Sequence, residues 1–250
     1  MIPVIIWNGT QTGSNALKCH LRLENNETIE YRNSFKDEII SLLNDESTIK
    51  RIENGQWAFK YILQHMNTKD YDKIFEKNMV IRIPHGPYLS EYQLSEILKS
   101  ASKYNYGHLL LYRESPFTQA IAWYHEDFGK KYEQELPVAE VTEKIKTIQR
   151  DLFYTYNYIK DKIKLNVLSY ESFFIRREKQ KVKDALNCVG FDVSLEKVEQ
   201  FIFGRFKHLV DGDKFKIDEV EGPICETIKH SYKKNFDLLN DMFCEVRVKI

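Results

Sequence analysis

"IIWNGTQTGSNALKCHL", residues 5–21, is the stretch that decides how the fold begins. Its apolar run stops at Asn8, small polar residues follow, and an apolar-periodic segment starts near Ala16. This order predicts a buried strand, a short loop and a helix, which is the repeating unit of α/β proteins. The opening loop, residues 9–15, has two interpretations at this point. Its backbone amides bind an anion, or it is an ordinary tight turn.

The composition fits one large soluble domain. The 250 residues are 42% hydrophobic and 30% charged, which is ordinary for a globular chain with a sizeable core. The 37 basic and 37 acidic side chains cancel. Because no overall field attracts nucleic acid or anionic lipid, we expect neither as a partner, and any anion site must be local.

The cysteines and the apolar runs indicate the compartment. The four cysteines, Cys19, Cys188, Cys225 and Cys244, are far apart and form no C-x-x-C pair, which disfavours a zinc site and a disulfide framework. The N-terminal apolar run is too short for a signal peptide, and no run reaches the length of a membrane span. We therefore expect a cytoplasmic protein.

Further along the chain, short apolar runs alternate with helical patterns. The runs that predict buried strands are residues 4–7, 79–83, 108–112 and 166–169. Helix starts are predicted after Ser34 and Ser90 and at Ser115 with Pro116, and a helix end is predicted at Gly190. These signals predict a mainly parallel sheet covered by helices on both faces. Without a repeat or a linker, residues 1–250 are expected to form one domain, with a helical C-terminal portion from about residue 191.

The opening loop lies where open α/β sheets bind ligands, between the carboxyl end of a strand and the N-terminus of a helix. Gly9 and Gly13 permit backbone conformations in which amides converge, and Thr10, Thr12 and Ser14 add hydroxyl groups. The loop lacks the Gly-Lys-Ser/Thr of nucleotide hydrolases and the spacing of the dinucleotide-binding motif. The loop alone leaves the anion site and the plain turn equally open.

A family resemblance favours the anion site. "GHLLLYRESPFTQAIAWYHEDFG", residues 107–129, resembles the 3′-phosphate-binding segment of sulfotransferases, in which a strand ends on arginine and a helix follows. "GTQTGSNALKCHL", residues 9–21, resembles the 5′-phosphosulfate loop of that family. "LNVLSYESFFIRREKQKVKDALNCVGFD", residues 165–192, is similar to its strand, Tyr-Glu turn and helix, and "FIFGRFKHL", residues 201–209, to its late basic segment. These blocks stand in the family's order.

The resemblance implies a three-layer fold like that of P-loop nucleotide kinases, with 3′-phosphoadenosine 5′-phosphosulfate (PAPS) as donor. It implies transfer of a sulfuryl group to an acceptor hydroxyl or amine without a metal ion. The residues that it assigns to the donor are Gly9, Thr10, Gln11, Thr12, Gly13, Ser14 and Asn15 around the phosphosulfate, Arg113 and Arg205 at the 3′-phosphate, and Tyr170 near the adenine.

His85 is the candidate catalytic base. It follows the second predicted strand and, with Arg82, resembles the family's Lys-x-His arrangement with one extra residue. A neutral imidazole accepts a proton at physiological pH. The alternative is a histidine that only shapes a turn, with Glu24 or Glu30 as the base.

Two residues depart from the family pattern. Gln11 stands where the loop usually carries arginine or lysine, and Ala122 stands where the helix usually carries a phosphate-binding serine. Glutamine offers a neutral hydrogen bond in place of a charge, although Lys18 follows one helical turn later. An alternative alignment places Glu114 at the arginine position, and we prefer Arg113. Both departures favour reduced activity or a changed donor.

Two other functions stay open. One is a nucleotide-binding descendant that does not catalyse transfer, which Gln11 and Ala122 favour. The other is a nucleotide-dependent kinase on the same architecture, which the missing Gly-Lys-Ser/Thr disfavours. The sequence indicates neither the acceptor nor the oligomeric state.

Overall fold

The computed structural model describes residues 3–10, 12–14, 17–18, 21, 36–54, 59–77, 79–128, 137–199, 242–243, 245–248 and 250. The residues named above that lie outside these ranges are Gln11, Asn15, Ala16, Cys19, Glu24, Glu30, Ser34, Arg205, Cys225 and Cys244.

The described part of the chain contains one four-stranded parallel sheet in the order β2-β1-β3-β4. The strands are β1 (Val4–Asn8), β2 (Val80–Pro84), β3 (Gly107–Tyr112) and β4 (Leu165–Ser169). All four predicted strands are confirmed. Each observed strand is one residue longer than the predicted run or is shifted from it by one residue, because backbone pairing extends past the apolar run.

Helices fill the connections between the strands. They are α1 (Glu46–Glu53), α2 (Phe59–His65), α3 (Tyr71–Phe75), α4 (Glu91–Lys103), α5 (Pro116–Phe128), α6 (Val138–Ile159), α7 (Lys179–Cys188) and α8 (Leu195–Glu199). A 3₁₀ turn, Thr68–Asp70, precedes α3, and a π-helix, Glu171–Ile175, follows β4. Residues 36–41 are also helical.

The helix ends predicted at Ser90, Ser115 and Gly190 are confirmed, whereas Ser34 lies outside the described residues. Ser90 closes a capping box with Gln93 at the start of α4. At the start of α5, the Oγ of Ser115 accepts a hydrogen bond from the Thr118 N–H at 3.3 Å. After α7, Gly190 adopts a φ of 95°, the left-handed conformation that ends many helices.

The sheet is buried on both faces, so the protein has three layers. On one face Ile5 and Trp7 pack with residues of α1 to α4 and α6. On the other face Val4 and Ile6 pack with Leu17, α7 and α8. Burial on both sides explains why the strands read as unbroken apolar runs. The relation to the P-loop fold stays a prediction. Among the described helices, none has both the length and the apolar character needed to cross a membrane.

One polar pair lies inside the core. The indole N–H of Trp7 donates to Nδ1 of His108 over 3.2 Å, and the two rings stack with a 6.2 Å centroid separation. His108 is buried, and desolvation lowers its pKa from 6.5 to about 4. Because a protonated Nδ1 could not accept the indole hydrogen, the fold requires this imidazole to be neutral.

Candidate functional site

The opening loop lies at the switch point of the sheet. β1 pairs with β2 on one side and with β3 on the other. The connection after β1 leads to β2 and the connection after β3 leads to β4, so the two connections run in opposite directions from the neighbouring strands β1 and β3. Asn8 lies opposite Pro84 and Leu111 in the register. The residues that follow all three strands therefore meet at one carboxyl edge, the usual position of ligands in such sheets.

The loop is ordered by its own polar groups. The carbonyl of Gly9 accepts hydrogen bonds from the Asn8 side-chain amide and from the Thr12 hydroxyl, both at 2.9 Å. Gly13 has a φ of 72°, and its carbonyl accepts the Leu17 N–H at 3.2 Å, which starts a helical turn. Within the described residues, no hydrogen bond uses the backbone N–H of Thr12 or Gly13. The amides of Thr12 and Gly13, at the start of this helical turn, are therefore not used by hydrogen bonds within the described part of the fold.

Gln119 in α5 covers the loop from one side. Its side-chain N–H donates to the Thr10 carbonyl at 2.6 Å, and the residue is buried. A Cβ on Gly9 would lie 2.8 Å from that nitrogen and 3.5 Å from Nδ1 of His85. The loop is therefore packed between α5 and His85, and a side chain at position 9 would require the Gln119 amide to move. Sequence reasoning missed Gln119, since no local motif marks it.

A cation from β2 reaches the other side of the loop. Nη1 of Arg82 lies 3.3 Å from the Oγ of Ser14, to which it donates a hydrogen bond. Lys18, one helical turn after Ser14, is 8% exposed. It is therefore a buried lysine of this helix and differs from an ordinary solvated surface lysine.

His85 is the first residue after β2. Its backbone N–H donates to the Asn8 carbonyl at 2.7 Å, so the pairing with β1 fixes its position. The side chain is 5% exposed, and its Nε2 has no hydrogen-bond partner within the described part of the chain. Burial lowers the pKa of His85 to about 3, against a smaller opposing effect from a hydrogen bond with the Trp7 backbone. The imidazole is neutral, and its buried Nε2 is unpaired among the described residues.

The loop and His85 share one cavity of about 80 Å³. Gly9, Thr10 and Thr12 line it from the loop. The other side chains that line it come from separate elements, among them Lys60 in α2, Tyr88 after β2, Tyr112 at the end of β3, Trp123 in α5 and Asp151 in α6. Because sequence distance separates these elements, their convergence was not predicted.

Asp151 and Thr155 of α6 pack against the turn that follows His85. The Oδ1 of Asp151 lies 2.9 Å from both Nε and Nη2 of Arg150. Gly86 has a φ of 112°, and a Cβ there would lie 2.7 Å from the Asp151 carboxylate. The Gly86 N–H donates to the Thr155 hydroxyl at 2.9 Å. One face of α6 thus fixes the backbone beside the imidazole.

Arg113 and Tyr170 meet at the ends of β3 and β4. The guanidinium carbon of Arg113 lies 3.9 Å from the centroid of the Tyr170 ring, and Arg113 is 5% exposed. Stacking of this kind holds a guanidinium in one plane. Arg113 and Tyr170, which the family resemblance assigned to the donor nucleotide in two separate motifs, are therefore in contact.

Glu114 and Glu171 support the turn after Arg113. Oε2 of Glu171 accepts the Glu114 N–H at 2.9 Å, and Oε1 accepts the Ser115 N–H at 3.4 Å. Arg176 binds the Glu114 carboxylate through both oxygens, at 2.8 and 2.6 Å, and lowers its pKa. Glu114 is thus engaged by a cation of its own, consistent with Arg113 as the anion-binding residue. Ala122 is buried in α5.

No group of three or more His, Cys, Asp or Glu side chains in the described ranges is arranged to bind a metal ion. The expectation of a metal-free reaction stays a prediction.

No protein-family model matches this chain, and neither the curated proteins nor the solved structures give a significant match. The resemblance to sulfotransferases therefore stays a prediction from the motifs.

Proposed function

We propose that this protein is a PAPS-dependent sulfotransferase that transfers a sulfuryl group to an acceptor hydroxyl or amine. The observation that carries the proposal is the cavity that the opening loop shares with His85 at the carboxyl edge of the sheet. An imidazole with an available nitrogen beside a helix N-terminus combines a proton acceptor with a binding site for an anion.

The donor would lie across the edge of the sheet. Its phosphosulfate would bind at the backbone amides of the loop, near Ser14 and the Arg82 guanidinium that contacts it. Its 3′-phosphate would bind Arg113, which is presented in one plane by Tyr170. A planar guanidinium binds phosphate oxygens in pairs, and burial strengthens such contacts.

The chemistry would follow the logic of phosphoryl transfer. The acceptor and the leaving oxygen stand in line on the sulfur, and the protein contributes position and charge. Nε2 of His85 would take the proton of the acceptor. The bound anion beside the imidazole favours its charged form, so it raises the pKa of His85 from the low value that burial produces.

The direct test is isothermal titration with the product nucleotide, 3′-phosphoadenosine 5′-phosphate (PAP), followed by transfer of labelled sulfate from PAPS to a panel of hydroxyl and amine acceptors. We expect saturable binding, and a loss of transfer of at least about a hundredfold in His85→Gln. The matched control is His65→Gln, because His65 lies exposed at the end of α2. Absence of PAP binding by the wild type would contradict the proposal.

A second candidate is a protein that binds the nucleotide without turnover. Gln119 against the Thr10 carbonyl and the buried Ala122 favour it, because they occupy space and remove a hydroxyl beside the donor. Tight PAP binding without sulfate transfer to any acceptor would support this candidate.

A further inference from the structure

Lys60 places a positive charge in the cavity of His85. It is the second residue of α2, and its Nζ lies 4.1 Å from the centroid of the Tyr88 ring and 4.7 Å from that of Tyr61. Gly9 and Thr10 of the opening loop line the same cavity. Two tyrosine rings thus hold the ammonium beside the loop.

Among the described residues, no carboxylate neutralises this charge. The only carboxylate that lines the cavity within the described ranges belongs to Asp151, which Arg150 pairs at 2.9 Å. Lys60 forms no ion pair with any carboxylate that the structure describes. Aromatic faces attract a cation but carry no net charge. Within the described part of the chain, the cavity therefore has an uncompensated positive charge, which favours an anion.

Gln11 and the other residues of the opening loop are uncharged, and the Arg82 guanidinium that contacts Ser14 is not among the residues that line the cavity. The sulfuryl group is negatively charged, and this charge must be stabilised while its bond to the 5′-phosphate breaks. We propose that Lys60 is the catalytic cation of this site, binding the oxygens of the transferring sulfuryl group in place of a charged residue at position 11. This inference rests on the proposed sulfotransferase function.

Sulfuryl transfer exchanges one bond at sulfur for another. The acceptor oxygen forms a bond to sulfur while the bond from sulfur to the bridging oxygen breaks. The bridging oxygen keeps the electron pair and leaves as part of PAP. The acceptor proton moves to Nε2 of His85 and then to solvent. Throughout this step the Lys60 ammonium binds the sulfuryl oxygens through a charge-assisted hydrogen bond.

The test compares the dissociation constants of PAPS and PAP, which differ by the sulfuryl group and require no acceptor. Titrations are run on the wild type, Lys60→Met, Lys60→Arg and Lys162→Met. Lys162 is the matched control, because its Nζ also lies over a tyrosine, 3.1 Å from the Tyr158 centroid, outside the cavity.

We expect Lys60→Met to weaken PAPS binding about tenfold, the size of a lost charge-assisted hydrogen bond, with PAP affinity nearly unchanged. Lys60→Arg should keep the preference for PAPS, and Lys162→Met should match the wild type. Melting temperatures of all variants check that they fold.

The inference is wrong if Lys60→Met leaves the ratio of the two constants at the wild-type value, or weakens both nucleotides equally. In either case the proposed function stands, because the wild type still binds. If the wild type binds neither nucleotide, the proposed function fails and this inference fails with it.

Discussion

Two buried histidines are expected to make the fold sensitive to mild acid. Burial lowers the pKa of His85 to about 3 and that of His108 to about 4, from an ordinary value of 6.5. Between these folded-state pKa values and 6.5, the two histidines bind protons in the unfolded chain but stay neutral in the folded chain. Stability is therefore complete above pH 6.5 and falls as the pH drops toward the folded-state values.

The size of the effect follows from the width of that window. Each histidine costs about 1.4 kcal/mol per pH unit below its ordinary pKa, so each removes about 2 kcal/mol of unfolding free energy at pH 5. The two together remove about 4 kcal/mol, a large fraction of a typical domain's stability. Acidic groups with lowered pKa values, Asp72 and Glu114 among them, lose their contribution only in more acidic solution.

Urea unfolding at pH 7, 6 and 5, followed by tryptophan fluorescence, to which the buried Trp7 contributes, measures this loss. His108→Gln and His85→Gln should each reduce the loss between pH 7 and pH 5 by about half. The exposed His65→Gln serves as the control and should behave like the wild type. A wild-type loss below about 1 kcal/mol, or an unchanged loss in both buried-site variants, would refute the reasoning.

Three further predictions concern the site. Gly86→Ala should lower the unfolding free energy by about 1–3 kcal/mol in urea titrations, because φ is 112° and the new Cβ meets Asp151; an unchanged midpoint would contradict this. Glu171→Gln should speed hydrogen exchange at the Ser115 amide, because Glu171 accepts that N–H and supports the turn after Arg113, the proposed 3′-phosphate-binding residue. The same variant should weaken PAP binding several-fold while AMP binding stays constant. Equal losses for both nucleotides would count against this prediction. Saturating PAP should raise the pKa of His85 in a nitrogen NMR titration, and an unshifted resonance would place the anion elsewhere.

Local signals in the sequence were sufficient for the framework. The apolar runs predicted all four strands, and Ser90, Ser115 and Gly190 marked helix ends that the structure confirms. Such predictions succeed because a cap or a buried strand depends on a few neighbouring residues. The position of the opening loop after β1 followed from the same local order.

Part of the site was also visible in the motifs. His85 and the glycine-rich loop were predicted as separate candidates, and the structure places them around one cavity. Arg113 and Tyr170 were likewise named apart, and the pairing of β3 with β4 brings them into contact.

The sequence by itself determined the order of the four strands along the chain, the helix ends at Ser90, Ser115 and Gly190, the burial of both faces of the sheet and the chemical groups of the loop. Only the tertiary structure decided that Gln119 contacts that loop and that Lys60 and Asp151 line the cavity beside it. These side chains lie on α2, α5 and α6, whose positions follow from packing against the sheet and against one another. No short window of sequence contains that packing, because the contacts join residues far apart in the chain.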